Sequence, residues 1–244
     1  MSRRAALLLV SFVAACGGSA APPEPARAGH AGHPEHAGHA GHAGHPPPAH
    51  GGPLVHRFER ADDWAKRFDD PARDAWQRPA DVIRLMSIQA GMVVADVGAG
   101  TGYFEPWLSR AVGDAGVVHA LDVEPDMVRY LRERATREKL ANVKPAVVPG
   151  DDPRLPPESV DRILVVDTWH HIPAREAYGK KLREALKPGG KVFVVDFKLD
   201  AKEGPPREHR LAPEVVEREL ALAGLRIEPR DVSLPEQYVV VGAR

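Results

Sequence analysis

Met92-Val93-Val94-Ala95-Asp96-Val97-Gly98-Ala99-Gly100-Thr101-Gly102 is the stretch on which the fold turns. An apolar run of strand character stops at an acid and enters a turn with a glycine at every second position. Gly98 and Gly100 can adopt positive φ and bring the main chain against a ligand, and Gly102 lets the next helix pack close to the strand. That helix is expected from about Tyr103 to Val112, with Pro106 tolerated in its first turn. Its unpaired N–H groups and positive dipole end suit a carboxylate. The acid closing the strand suits a cationic amine, and a nucleotide pyrophosphate suits the pattern less well.

Four more apolar runs follow. Val117 to Leu121 ends at Asp122, about 20 residues beyond the glycines, the spacing at which nucleoside-binding folds present an acid to ribose hydroxyls. Val143 to Val148 leads into Gly150-Asp151-Asp152, and Val160 to Val166 ends at Asp167-Thr168-Trp169-His170-His171. Lys191 to Phe197 follows Leu186-Lys187-Pro188-Gly189-Gly190, where a helix stops and the chain turns back. Acidic or polar groups thus close the first four strands on one side, the carboxyl edge at which open parallel sheets bind ligands.

From about Arg73 to the C-terminus the chain resembles the class I S-adenosylmethionine-dependent methyltransferases, in the broad group of ubiquinone-biosynthesis-type and type 11 enzymes. The resemblance rests on Val94 to Gly102, Leu121-Asp122, Gly150-Asp151, Thr168 to Ile172 and Leu186 to Gly190, which occur in the right order. It implies an α/β, Rossmann-like seven-stranded sheet of order 3-2-1-4-5-7-6, strand seven antiparallel, with helices on both faces and S-adenosyl-L-methionine as cofactor. It further implies that Asp96 and the backbone of Gly98, Ala99 and Gly100 hold the methionine part, and that Asp122, with Val123 beside it, takes the ribose. Asp151 would meet the adenine amino group, Asp152 would lie beside the ring, and Asp167 would line the methionyl end near the sulfonium. For each acid the alternative is a solvated carboxylate at a strand end. His170 and His171 fall at the rim of the substrate pocket and are the candidates for a general base, since imidazole titrates near neutrality; a structural role is open for both.

A nicotinamide dinucleotide is the rival cofactor, but its fingerprint is G-x-G-x-x-G, whereas here the glycines run G-x-G-x-G behind an acid. Leu225 to Pro229 and Tyr238 to Val241 flank a turn-rich segment and suggest a closing antiparallel hairpin. Residues 91–244 form the methyltransferase-like domain on this reading, and 54–90 form a helical cap. In the cap, Asp70-Pro71 starts a helix, Pro79 divides the pattern into two short helices, and Trp64, Phe68 and Trp76 either wall a substrate pocket or pack on the sheet.

Residues 1–15 read as a signal peptide: Arg3-Arg4 precede an apolar run from Ala5 to Ala15 too short to span a bilayer. Val13-Ala14-Ala15-Cys16 resembles a bacterial lipobox, which makes Cys16 a lipidation site and the protein an exported, membrane-anchored lipoprotein, facing the periplasm or in the outer membrane. Residues 16–53 are rich in Ala, Gly, Pro and His and are expected to be a disordered tether. Within it His30, His33, His36, His39, His42 and His45 recur at every third residue, which would line one edge of a polyproline II strand and offer imidazoles to Zn, Cu or Ni. Low-complexity drift gives the same pattern. No metal ligands are expected in the folded domain.

With 33 basic and 34 acidic residues the formal net charge is -1, which gives no electrostatic case for a nucleic-acid partner. A small-molecule acceptor is the expected partner, with the lipid bilayer through Cys16. Two readings result. One is an active methyltransferase tethered to a membrane. The other is a catalytically silent lipoprotein of the same fold whose His-rich tail binds divalent metal.

Overall fold

The computed structural model describes residues 60–244; the leader, Cys16, the histidine repeat and the first residues of the cap lie outside the described residues. The cap consists of three short helices, α1 (Ala61–Phe68), α2 (Asp74–Gln77) and α3 (Pro79–Met86). The sequence reading expected two. Asp70 does cap its segment, accepting the Ala72 N–H at 2.9 Å, but Pro71–Arg73 takes a 3-10 turn before α2, and Arg78 at φ 47° breaks the chain ahead of Pro79.

The domain continues as β1 (Val93–Val97), α4 (Glu105–Val112), β2 (Val117–Asp122), α5 (Pro125–Arg137), β3 (Val143–Val147) and β4 (Val160–Val166). It closes with α6 (Arg175–Ala185), β5 (Leu186–Phe197), α7 (Pro213–Leu222), β6 (Arg226–Glu228) and β7 (Gln237–Ala243). Seven strands form one sheet of order β3-β2-β1-β4-β5-β7-β6, as the resemblance implied. The pairs among β1 to β5 are parallel, while β7 runs antiparallel to both β5 and β6.

Side chains alternate across the sheet with the period of a strand. Ala95, Val97, Val192 and Val194 join Tyr178 and Leu182 of α6 and Val216 and Leu220 of α7 in one core. Val94, Phe193 and Val195 join Val82 and Met86 of α3, Leu108 and Val112 of α4 and Leu131 of α5 in the other. A sheet covered on both faces explains why its central strands read as unbroken apolar runs. β5 starts earlier than expected: Leu186 already pairs with Val160, and Lys191 with Arg162, so Lys187 to Gly190 bulges out between the two pairs. Pro188 has no N–H to give, and Gly189 sits at φ 78°, so α6 cannot run on.

The strand order reverses between β1 and β4. The glycine turn leaves β1 and Asp167 follows β4, so both stand at the switch point, where open α/β sheets place their ligands.

Candidate active site

The turn after β1 is tied down on three sides. Gly98 and Ala99 donate their N–H groups to the Leu121 carbonyl at 2.8 and 3.0 Å. The Asp122 carboxylate accepts from Gly100 N–H at 2.8 Å with one oxygen and from Glu124 N–H at 2.9 Å with the other, so it binds the ends of β1 and β2 together. The Thr101 hydroxyl donates to Asp69 at 2.8 Å, and Arg134 of α5 reaches both Asp69 at 2.8 Å and the Thr101 carbonyl at 3.1 Å. Asp69 thereby staples the end of α1 to the turn. Gly98 has φ 76°, and a Cβ there would run into the Thr168 side chain, so no other residue fits.

Around this turn lies a cavity of about 340 Å³, lined among others by Asp96, Gly98 to Thr101, Asp122, Val123, Met127, Val148, Gly150 and Tyr178. Apolar side chains and backbone make up most of its surface, with the carboxylates of Asp96, Asp122 and Asp167 set among them, the usual make-up of a small-molecule site. Asp96 is buried at 3 % exposure. Burial, with the nearby Asp122 charge, pushes its carboxyl up to about 7, against the pull of Glu105 and Arg73. Beside it Glu105, on the first turn of α4, is 1 % exposed and neither of its oxygens has a hydrogen-bond partner in the described residues. Burial and then the Asp96 charge hold Glu105 well above the carboxylate range. Two adjacent buried carboxyls resist ionising together, and the stronger upward push on Glu105 directs the charge of the pair to Asp96.

A second cavity, of about 490 Å³, adjoins the first; Phe68, Arg73, Asp167 and His171 line both. Its own walls are Trp64, Trp76, Phe197, His170 and the segment from Glu203 to Pro206. The partition is fixed by a chain of amides. Arg73 donates to the Gln77 carbonyl oxygen at 2.9 and 3.2 Å, Gln77 donates to Gln237, and Gln237 donates to Asp167. Arg73 also stands 3.5 Å from Asp167 and 4.1 Å above the Tyr103 ring. Burial raises the Asp167 carboxyl to about 7, with Arg73 opposing.

The two candidate histidines part company here. Trp169 is fully buried and its indole N–H holds Glu219 at 2.9 Å, which anchors the 3-10 turn Trp169–His171 on α7. His171 lines both cavities, whereas His170 lines only the second and is buried with Nδ1 2.9 Å from both oxygens of Asp196. Of the acids expected at the adenine end, neither lines the first cavity; Gly150 does. Asp151 is exposed, and Asp152 pairs with Lys181 at 3.5 Å and accepts Arg154 N–H at 2.8 Å. Among the described residues no three His, Cys, Asp or Glu side chains gather as a metal site, and no helix is long and apolar enough to cross a membrane.

Sequence reasoning missed Glu105, Arg73, Gln77, Gln237 and Asp196 as members of this site. Asp196 carried a signal, since it sits at the carboxyl end of β5 as the other acids do on their strands. The two glutamines carried none: they lie 160 residues apart and meet only through the fold.

A methyltransferase-domain family matches residues 94–190. The chain is 30% identical to a SAM-dependent methyltransferase from Aquifex aeolicus, whose crystal structure it matches over 74% of its own length and 97% of that chain, with a TM-score of 0.70. It is 29% identical over 123 residues to a ubiquinone/menaquinone biosynthesis C-methyltransferase from Hydrogenovibrio crunogenus, over 50% of this chain and 48% of that protein. The chain thus spans about half the length of the curated relatives it matches. A phosphoethanolamine N-methyltransferase from Haemonchus contortus, solved with phosphomonomethylethanolamine and S-adenosylhomocysteine, shares the fold with 22% identity and a TM-score of 0.53, over 69% of this chain and 46% of that one.

Proposed function

The chain belongs to the class I S-adenosylmethionine-dependent methyltransferases, and we propose that it methylates a small-molecule acceptor held in the second cavity. The observation that carries this reading is the pair of adjoining cavities, with Phe68, Arg73, Asp167 and His171 between them. The first fits the cofactor on chemical grounds. Asp96 would offer a buried negative charge to the methionyl amine, and Gly98, Ala99 and Gly100 line the cavity beside it. Asp122 would hold the ribose, and the half-exposed Val123 would give an apolar edge for the nucleoside to cover. Gly150 would border the adenine end, with Asp151 one residue further along.

The bound cofactor supplies a methyl group already activated on a sulfonium, so the chain's task is to orient the acceptor and keep water out. Positioning of this kind is worth about 7–11 kcal/mol of a barrier. Asp167, held by Gln237 and Arg73 at the partition, orients groups on both sides. The apolar leader and Cys16 support an exported, lipid-anchored protein that meets its acceptor at a membrane, and the His30 to His45 repeat supports capture of Zn, Cu or Ni by the tether.

Calorimetric titration of the full chain with S-adenosylmethionine tests the reading. We expect one site, weakened about ten- to a hundredfold by Asp96→Asn, the loss expected for a hydrogen bond to a charged group. Absence of binding, or equal binding by the variant, contradicts it.

A further inference from the structure

His170 lines the second cavity and pairs with Asp196, which is buried outside its lining; the cofactor reading uses neither group. His170 and Asp196 are 2 % and 1 % exposed at their side chains, and Nδ1 lies 2.9 Å from both carboxylate oxygens. Asp196 sits on β5 and also accepts the Phe197 N–H at 2.8 Å, so its orientation is set by the sheet. With Nδ1 committed to a carboxylate, Nδ1 carries the proton and Nε2 is the basic nitrogen of the ring. The ring is locked in place: Trp169 before it is anchored by Glu219, and His171 after it packs at 4.1 Å between ring centroids. A histidine oriented by a buried carboxylate beside a cavity has the parts of a general base.

We infer that His170 is the general base of this enzyme, with Asp196 as its positioning residue, and that the acceptor is a hydroxyl compound that arrives protonated. This rests on the reading of the second cavity as the acceptor site. The hydroxyl gives its proton to Nε2, and its electron pair forms the new O–C bond while the pair of the old S–C bond stays on sulfur. The imidazolium so formed is neutralised by Asp196 and loses its proton to solvent. A carboxylate or thiolate acceptor would need no such base. The walls suit a flat body: Trp64 stacks with Phe68 at 5.4 Å, and Trp76 meets Phe197 at 5.7 Å. The groups bearing on the imidazole are Asp196 of β5, Asp167 after β4, Arg175 of α6 and the neighbouring His171. Burial disfavours its cation, but Asp196 and Asp167 outweigh burial and raise its basicity.

4-Nitrophenol, whose phenolate is coloured, tests the proposal in the full chain saturated with S-adenosylhomocysteine. Bound to the wild type, it should ionise at a pH about one to two units below that of the free phenol, stabilised by the imidazolium. The shift should vanish in His170→Gln and shrink in Asp196→Asn, while calorimetric affinity for S-adenosylhomocysteine stays within twofold in both. Failure of the probe to bind the loaded wild type, unshifted ionisation there, or a shift that survives His170→Gln overturns the proposal. Failure of the wild type to bind S-adenosylhomocysteine overturns the cofactor reading instead. Loss of that binding in both variants alone also overturns the proposal, because it makes the pair a support of the fold.

Discussion

Asp96 and Glu105 form a buried acid pair behind the glycine turn, and their protonation sets how the site answers to pH. Asp96 ionises near 7, and a cationic amine binds its ionised form, so binding S-adenosylmethionine should release a proton and weaken as pH falls below about 7. Calorimetry in buffers of different ionisation enthalpy measures that proton directly. Glu105 has its folded pKa raised, so the folded state retains a proton that the unfolded chain gives up above the ordinary glutamate value of 4.5. The stability it contributes is therefore present at low pH and is lost as pH rises. Glu105→Gln mimics the protonated acid. It should leave stability unchanged near pH 4 and raise it at pH 8, read as a melting-temperature difference that grows with pH. A difference independent of pH would contradict the assignment of the proton to Glu105.

At the scale of elements, the second cavity depends on the strap between β5 and α7. Arg210 gathers this strap, donating to the carbonyls of Lys198, Ala201, Glu203 and Pro205 at 3.0, 2.6, 2.9 and 2.8 Å. Gly204 lies so close to the Phe197 ring that a Cβ would come within 2.6 Å of it. Arg210→Gln should loosen the strap, speeding proteolytic cleavage within residues 199–209 while S-adenosylmethionine affinity stays unchanged. The partition between cavities gives a second case. Gln237→Leu strands the buried Gln77 amide and leaves Asp167 with Arg73 only, which should cost about 1–3 kcal/mol. Melting should then fall by about 2–4 °C for each kcal/mol.

These elements also show what the sequence could and could not tell. The strands were legible as apolar runs of strand length, each ended by an acid or a glycine, while their order followed from the family resemblance that these motifs carry. The turn after β1 was legible because its glycines are required by backbone geometry. The cap broke into more pieces than Pro79 alone signalled, since Arg78 at φ 47° has no mark in the sequence. Glu105 looked like an ordinary acid in the first turn of a helix, and only tertiary packing reveals it buried against Asp96. Asp196 was within reach of the strand-end rule, but its partner in the 3-10 turn follows from the fold.

In the whole molecule, one sheet edge serves two adjoining cavities, one framed by β1 and β2 and the other by the cap, the turn after β4 and the strap. The near-neutral charge fits a small acceptor better than a polyanion. If Cys16 anchors the chain, metabolic labelling with palmitate should mark the protein processed at Cys16, and Cys16→Ser should abolish the label; labelling that persists contradicts the anchor. Whether the two cavities divide cofactor and acceptor between them is decided by a crystal structure with S-adenosylhomocysteine. The amine should lie against Asp96, the ribose against Asp122, and the sulfur should face the partition at Asp167 with the second cavity left open. The ligand bound elsewhere, or its sulfur turned away from Asp167, would contradict it.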